Sequence, residues 1–344
     1  MTPDSKPPLL ELRKVGKRFV KTPDAAERIV RLFRPGAAEQ SGNGVQAVDG
    51  VSLSIAAGEV VGLVGESGCG KSTLGRMAVG LLPMSSGERR WKGEDIDRLP
   101  PAQRRQRQIA MQLIFQDPYA SLNPRMRVHD IVGEAPVAHG MIPAARQKDA
   151  VQELLQRVGL DPAMADRYPH QFSGGQRARV GIARALAVHP ELLVCDEAVA
   201  ALDVSIQAQV LNLFIRLRDE LNLTYLFISH DLAVVRHLSD RVMIMYLGRI
   251  VESAPTEELF AHPHHPYTQV LLASTPTLDT EKSLREPLPG AMQGELPSAL
   301  HPPSGCHFYQ RCPHATDRCR HDAPELREIS PNHFSACHRD DALP

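Results

Sequence analysis

No apolar run in this chain approaches the ~18 residues that a membrane-spanning helix needs, so no transmembrane segment is expected. There is no basic excess either: 39 Lys and Arg stand against 40 Asp and Glu, a formal net charge of −1. Proteins that live on nucleic acid usually carry a basic surplus or stripe, so a nucleic-acid partner is not expected. The opening stretch from Met1 to Leu10 is Pro-rich and polar and lacks the apolar core of a signal peptide. The expectation is a soluble chain working in the cytoplasm. Tight C-x-x-C pairs are missing as well, although those are what zinc ribbons prefer. What is present is 344 residues at 42% hydrophobic content, enough for about two domains with real cores.

One stretch organises the rest. Gly65-Glu66-Ser67-Gly68-Cys69-Gly70-Lys71-Ser72-Thr73 matches the phosphate-loop pattern G-x-x-x-x-G-K-[ST]. Before it, Glu59 to Val64 is an apolar, β-branched run that reads as a buried strand; after it, Leu74 to Val79 continues as a helix. Glycines let such a loop wrap a triphosphate with its N–H groups, and the helix start adds about half a positive charge. Lys71 is expected on the β- and γ-phosphates. Ser72 is expected to place its hydroxyl on Mg²⁺, a hard octahedral cation that takes oxygen ligands.

Along the chain, Leu9 to Val15 alternates loosely and reads as an edge strand, Val20 to Val45 as a surface insertion, and Ala47 to Ile55 as a further strand. Phe19 offers a flat face on which an adenine could stack, or is a half-buried aromatic at a strand end. Ile109 to Phe115 reads as a strand broken by Gln116-Asp117-Pro118. From Pro118 to Phe172 the composition turns helical, with an amphipathic helix over Arg146 to Val158. Gln171 to Arg177 then leads into a helix over Ala178 to Leu186. Glu191 to Glu197 is a buried strand ending in two acids, a Walker B pattern. A helix from Ser205 to Glu220 and a strand from Thr224 to Ser229 follow, the strand ending at His230. In α/β folds the carboxyl edge of the sheet is where ligands bind.

The phosphate loop, Gln116, Ser173-Gly174-Gly175-Gln176, the Asp196-Glu197 pair, Asp203 and His230, in that order, resemble the ATPase subunit of an ATP-binding cassette transporter. Phe115 to Pro118, Ser121 to Met126, Arg167 to Phe172, His265 to Thr268 and Pro302 to Cys306 narrow the resemblance to the oligopeptide/dipeptide permease ATPases, second-ATPase type, from about Leu9 to about Cys337. It implies an α/β P-loop NTPase (RecA-like) core with an antiparallel β subdomain, an inserted helical subdomain at about 117–172 and a small Cys-containing C-terminal extension. A nucleotide-binding domain would span 1–260 and the transporter C-terminal region 261–344. Its implied ATP contacts are Phe19, now as the stacking residue, with Gly65, Ser67, Gly68, Cys69, Gly70, Lys71, Ser72, Thr73 and Gln116. Glu197 would be the general base and His230 would hold the γ-phosphate and the attacking water, while Ser72, Gln116 and Asp196 would serve Mg²⁺.

Ser173, Gly174, Gly175 and Gln176 would act on ATP bound to the opposite subunit, with Asp203 in the loop that crosses the dimer. The implied partners are two integral membrane permease subunits, a paralogous ATPase in a head-to-tail heterodimer and, indirectly, an extracytoplasmic peptide-binding protein. The implied location is peripheral, on the cytoplasmic face of the inner membrane, with Tyr119 near the permease. The chain departs from the family at Ala198 (usually Pro), Ala200 (usually Ser) and Phe172 (commonly Leu), and no catalytic group is lost. A soluble, non-transport cassette ATPase is the alternative, and the same transporter role with glutathione or a nickel chelate as cargo is another.

Cys69 and Cys195 fall inside the nucleotide motifs, whereas Cys306, Cys312, Cys319 and Cys337 gather near the C-terminus. A reducing compartment argues against disulfides, and thiolates among turns can converge on zinc or on an iron–sulfur centre. The resemblance implies a [4Fe–4S] cluster on these four cysteines, with zinc as the alternative. His262, His264 and His265, interleaved with prolines, read as a structured turn before a helix rather than as a metal site.

Overall fold

The computed structural model describes residues 7–20, 44–117, 120–274, 300 and 302–339. The chain begins with strands β1 (Leu10–Val20) and β2 (Gly44–Ile55), then β3 (Val60–Val64), which runs through the phosphate loop into helix α1 (Lys71–Ala78). Strands β4 (Ser86–Trp91) and β5 (Glu94–Asp95), helix α2 (Pro101–Ile109) and β6 (Met111–Ile114) follow. Helices α3 (Val128–Ala138), α4 (Gln147–Arg157) and α5 (Gly174–Leu186) precede β7 (Leu192–Asp196), α6 (Val204–Leu221), β8 (Thr224–Ser229) and α7 (Leu232–Leu238). The chain continues through the hairpin β9 (Arg241–Tyr246) and β10 (Arg249–Pro255) to α8 (Thr256–Ala261) and α9 (Pro266–Ala273). Helix α10 (Asp317–His321) and strands β11 (Arg327–Ser330) and β12 (His333–Ser335) complete it.

Two sheets result: an antiparallel one in the order β2-β1-β4-β5, and a mixed one in the order β11-β12-β10-β9-β3-β8-β7-β6. Within the second, β9, β3, β8, β7 and β6 are parallel. β3, β7 and β8 are buried at every position, as parallel strands covered on both faces must be, so their sequences are continuous apolar runs. The shared direction brings the carboxyl ends of β3, β8, β7 and β6 to one edge, and with them the phosphate loop, His230, Asp196-Glu197 and Gln116. Leu12, Leu63, Leu74 and Trp91 belong to the core cluster that joins the two sheets.

The α/β architecture, its antiparallel subdomain and its helical insertion are as the sequence leads one to expect. The expected edge strand at Leu9 to Val15 is not one: β1 is paired on both sides, with β2 and with β4. Its Leu10, Leu12 and Val15 are buried while Arg13 and Lys14 face solvent, and the backbone absorbs the mismatch in register shifts and a left-handed Lys14 at φ 46°. Most of the surface insertion expected over Val20 to Val45, and Tyr119, lie outside the described residues. The C-terminal strands β11 and β12 add to the mixed sheet through β10, with Glu252 opposite Ser335 and Ser253 opposite Phe334.

Candidate nucleotide site

The phosphate loop is shaped by glycines that nothing else could replace. A Cβ on Gly65 would sit 2.1 Å from the carbonyl oxygen of Met245, and Gly70 combines φ 109° with a Cβ position 2.1 Å from the carbonyl of Ala47. Gly68 also has positive φ, at 80°, but faces open space. Lys71 is buried, and its ammonium donates to the carbonyls of Gly65 (2.7 Å) and Glu66 (3.0 Å), which hold it against the loop. Ser67 and Gly68 are exposed, Cys69 is buried, and Thr73 lies partly buried in the first turn of α1.

The Ser72 hydroxyl donates to Asp196 Oδ1 at 2.7 Å. Burial raises the Asp196 carboxyl above its usual range, and the Ser72 bond opposes that rise. A hydroxyl and a partly desolvated carboxylate at this distance are a hard-oxygen donor set of the kind Mg²⁺ takes. At the next position, Glu197 adopts φ 49°, a left-handed conformation that costs on the order of 1–3 kcal/mol in a non-glycine residue. Its amide donates to the Ile228 carbonyl at 3.0 Å, which fixes the turn. The Gln116 side-chain amide donates to Glu197 Oε2 at 2.6 Å, and His230 Nδ1 lies 3.6 Å from Glu197 Oε1. The Glu197 side chain is only 13% exposed and His230 is 58% exposed, so the carboxylate is held from within while the imidazole stands at the open rim.

The structure therefore brings Lys71, Ser72, Asp196, Glu197, Gln116 and His230 to one edge. Phe19, at the end of β1, is 44% exposed with the Lys17 ammonium 5.3 Å from its ring centroid, an open aromatic face that already receives a cation. The Ser173 turn is elsewhere. Ser173 caps α5 in a reciprocal box, its Oγ accepting from Gln176 N at 3.3 Å while Gln176 Oε1 accepts from Ser173 N at 3.0 Å. Among the described residues no hydrogen bond or ion pair joins this turn to the phosphate loop, and α5 has no acid in its first turn. Gly175 is in tight contact with α6, where an added Cβ would lie 2.3 Å from Ile206 Cγ2. Asp203 stands exposed at the start of α6 without a side-chain cap bond.

Cys306, Cys312, Cys319 and Cys337 are partly buried free thiols. Burial pushes Cys306 up to about 11 and Cys312 up to about 12, and charge on neighbouring thiols of the same set adds to both. Among the described residues, no three His, Cys, Asp or Glu side chains are grouped to hold a metal ion, so the four thiols as they stand do not fit the expected [4Fe–4S] or zinc centre. Cys306 precedes and Cys312 ends the 3₁₀ turn Tyr309–Arg311, Cys319 lies in α10 and Cys337 just beyond β12, and the Cys306 amide donates to the Cys319 carbonyl at 2.8 Å. His264 and His265 form the turn before α9: both backbone amides donate to the buried Glu252 carboxylate, at 2.7 and 2.9 Å, and His265 Nδ1 accepts from Tyr267 N as the helix cap. His262 is exposed beside Glu258.

Sequence reasoning missed the residues that hold the loop from behind. Glu66 N donates to Tyr267 Oη at 2.9 Å, and Arg311 Nη1 donates to Glu66 Oε2 at 3.0 Å. The acid inside the phosphate loop was the available signal; its partners lie 201 and 245 residues away.

Comparison with known proteins agrees with this geometry. The ABC transporter family matches residues 48–200, and the family described as the oligopeptide/dipeptide transporter C-terminal region matches residues 251–319. The chain is 49% identical to the oligopeptide transport ATP-binding protein AppF of Bacillus subtilis, over 98% of this chain and 99% of that protein. It is 46% identical to the di/tripeptide transport ATP-binding protein DppF of Pseudomonas aeruginosa, over 86% of this chain and 90% of that one. Among solved structures, cbiO1 of Clostridium perfringens, part of the ABC transporter complex cbiONQ, superposes with a TM-score of 0.60 at 26% identity, covering 74% of this chain and 91% of that one. The ATP-binding cassette MJ0796, in a dimeric post-hydrolysis state bound to ADP and Pi, gives a TM-score of 0.59 at 25% identity, covering 72% and 98%. With the phosphate loop, the paired acids, both family segments and a relative aligned over 98% of its length, the chain belongs to the oligopeptide/dipeptide branch of the ABC transporter ATP-binding subunits.

Proposed function

We propose that this chain hydrolyses ATP to power import of di- or oligopeptides through a membrane permease, paired head to tail with a paralogous ATPase. The observation that carries the reading is the Gln116–Glu197–His230 arrangement next to Ser72–Asp196 at the mouth of the phosphate loop. ATP is received by the loop amides, and Lys71 leaves the Gly65 and Glu66 carbonyls for the β- and γ-phosphate oxygens. Ser72, Asp196 and Gln116 would hold Mg²⁺, which supplies charge neutralisation between those phosphates. Glu197 takes a proton from the attacking water; the water oxygen bonds to the γ-phosphorus, and the bond from that phosphorus to the bridging oxygen of ADP breaks. Gln116 holds Glu197 in line through its 2.6 Å bond, and His230 at the rim orients the water and the γ-phosphate.

The start of α5, where the Ser173 box takes up the Gln176 amide, is suited to the phosphates of an ATP carried by the opposing subunit, since a helix start favours anions, and the exposed Asp203 would lie in the loop that crosses to that subunit. Phe19 supplies the stacking face. No helix among the described residues is long and apolar enough to cross a membrane. The proposed place is peripheral, on the cytoplasmic face of the inner membrane. The nucleotide-binding domain, 1–260, and the C-terminal region, 261–344, are read as two parts of this one machine. As they stand the four cysteines do not fit the [4Fe–4S] or zinc centre that the resemblance implies, and such a centre would require Cys306, Cys312, Cys319 and Cys337 to close on one point. Iron and sulfide analysis of anaerobically purified protein tests it, and zinc without iron contradicts the iron–sulfur assignment.

Co-expression with candidate permease and paralogous subunits, followed by reconstitution in vesicles, tests the main proposal. A stable complex whose ATPase activity rises with binding protein and peptide is expected. A chain that pairs only with itself and associates with no membrane subunit contradicts the transport assignment.

A further inference from the structure

The phosphate loop is gripped from behind by the C-terminal part of the chain. Glu66 is held at three points: Lys71 donates to its carbonyl at 3.0 Å, Tyr267 Oη accepts its amide hydrogen at 2.9 Å, and Arg311 Nη1 donates to its carboxylate at 3.0 Å. Arg311 also reaches Tyr246 Oη at 3.3 Å, and its guanidinium lies 5.9 Å from the Phe308 ring centroid. The rings of Tyr246, Tyr267 and Phe308 pack against one another, with centroids 4.6 to 5.4 Å apart, as a rigid bed beneath these contacts. The same turn acts a second time. His307 donates through Nδ1 to the Leu247 carbonyl at 3.0 Å, and the next residue, Gly248, donates its amide to the Cys69 carbonyl at 2.8 Å. Residues 307–311 thus bear on both flanks of the loop, at Glu66 directly and at Cys69 through the β9–β10 turn.

The Lys71 contact cannot survive nucleotide binding, because its ammonium must leave the Glu66 carbonyl for phosphate oxygens. The other two can. They also meet an electrostatic need: Glu66 puts a carboxylate into a loop that receives a polyanion, and that carboxylate is paired with Arg311, whose side chain is only 7% exposed. Glu66 Oε1 and Arg311 Nε are both buried without a hydrogen bond, and removing Arg311 leaves the Glu66 carboxylate without its cation, whereas Arg311 keeps Tyr246 Oη when the carboxylate is removed.

We propose that Arg311 and Tyr267 are positioning residues for nucleotide binding: together they hold Glu66 and neutralise its charge, so that the phosphate loop keeps its receiving shape when Lys71 changes partners. The inference rests on the reading that this loop binds ATP. It makes the C-terminal segment a determinant of nucleotide affinity, although it contributes nothing that touches the reacting atoms.

Titration of the full chain with a fluorescent ATP analogue and Mg²⁺, with melting temperatures alongside, tests it through four variants. Arg311→Gln should bind about tenfold more weakly, the scale of one buried charged contact. Glu66→Gln should bind as well as the wild type or tighter, because it removes the carboxylate and leaves the cation. The double variant should return to within about threefold of the wild type, since two uncharged partners of similar shape cost little. Tyr267→Phe keeps the buried ring and loses only the acceptor, so about threefold weaker binding is expected even if Arg311→Gln proves unstable. In the assembled transporter KM for ATP should rise in Arg311→Gln while kcat holds.

A purely architectural role would weaken all four variants alike, without recovery in the double, and that pattern overturns the proposal. Unchanged affinity in both Arg311→Gln and Tyr267→Phe overturns it as well, while leaving the loop's own role intact. A wild-type chain that does not bind the analogue overturns the phosphate-loop reading itself, and the proposal with it.

Discussion

Replacing His265 with Asn should flatten the acid side of this protein's stability profile. His265 is fully buried at the cap of α9, and burial pushes its imidazole down from 6.5 to about 4, with the Glu252 charge opposing the fall and His264 adding to it. Its Nδ1 accepts the Tyr267 amide hydrogen at 3.1 Å, a contact that only the neutral ring can make. The sign follows from linkage: below pH 6.5 the unfolded chain takes up a proton that the folded one refuses, so stability is lost as pH falls from about 6.5 toward 4. At pH 5 that loss is about 2 kcal/mol, and it approaches about 3 kcal/mol near pH 4. Asn can accept the same cap bond without titrating. With about 2.1 cal/mol/K of unfolding entropy per residue over 344 residues, the 2 kcal/mol at pH 5 corresponds to about 3 °C in Tm. Thermal unfolding of both proteins at pH 7, 6 and 5 should show the wild type falling by about 3 °C more than His265→Asn. Parallel Tm-against-pH curves would refute the assignment of this acid sensitivity to His265. Glu252 acts in a lower window: burial would raise its carboxyl, but the bonds from His333 and the 264–265 amides outweigh that and hold it below 4.5, so its contribution is present above pH 4.5 and lost beneath it.

Three further outcomes are expected. Lys71→Ala should abolish measurable nucleotide binding in the titration, because a buried ammonium with charge-assisted bonds worth about 1.5–3 kcal/mol each is removed. Ser173→Ala should lower unfolding stability by about 1 kcal/mol through loss of the α5 cap, read by chemical denaturation. Gly175→Ala should cost about 1–3 kcal/mol, because its new methyl would meet Ile206 Cγ2 at 2.3 Å, and hydrolysis by the assembled transporter should fall although the variant chain still binds ATP.

Much of the site is legible in the sequence because it is local. Strand, glycine loop and helix follow one another from Val60 to Ala78, and β8 spans the very residues, Thr224–Ser229, that its apolar run marks. The convergence of Gln116, Asp196, Glu197 and His230 follows once β3, β8, β7 and β6 are parallel neighbours, since each residue sits at or just past the end of its strand. Non-local pairing is where the sequence falls silent. Nothing in Leu9 to Val15 says that β1 lies between two strands, because its charged positions face water whether or not both backbone edges are paired. Likewise β12 is only three residues long, and its place beside β10 depends on the buried Glu252, which His333 meets at 2.7 Å from 81 residues away. The contacts of Arg311 and Tyr267 on Glu66 are of the same kind, visible only when the chain has closed.

Glu197 carries the central claim, so Glu197→Gln in the reconstituted transporter, with hydrolysis and nucleotide occupancy measured on the same sample, tests it most directly. The carboxylate that accepts the Gln116 bond becomes an amide of the same shape that cannot take a proton. Hydrolysis should fall by about 10²–10⁴-fold, the usual contribution of a general base, while ATP stays bound at wild-type occupancy. Hydrolysis at the wild-type rate in that variant would contradict the assignment of Glu197 as the base.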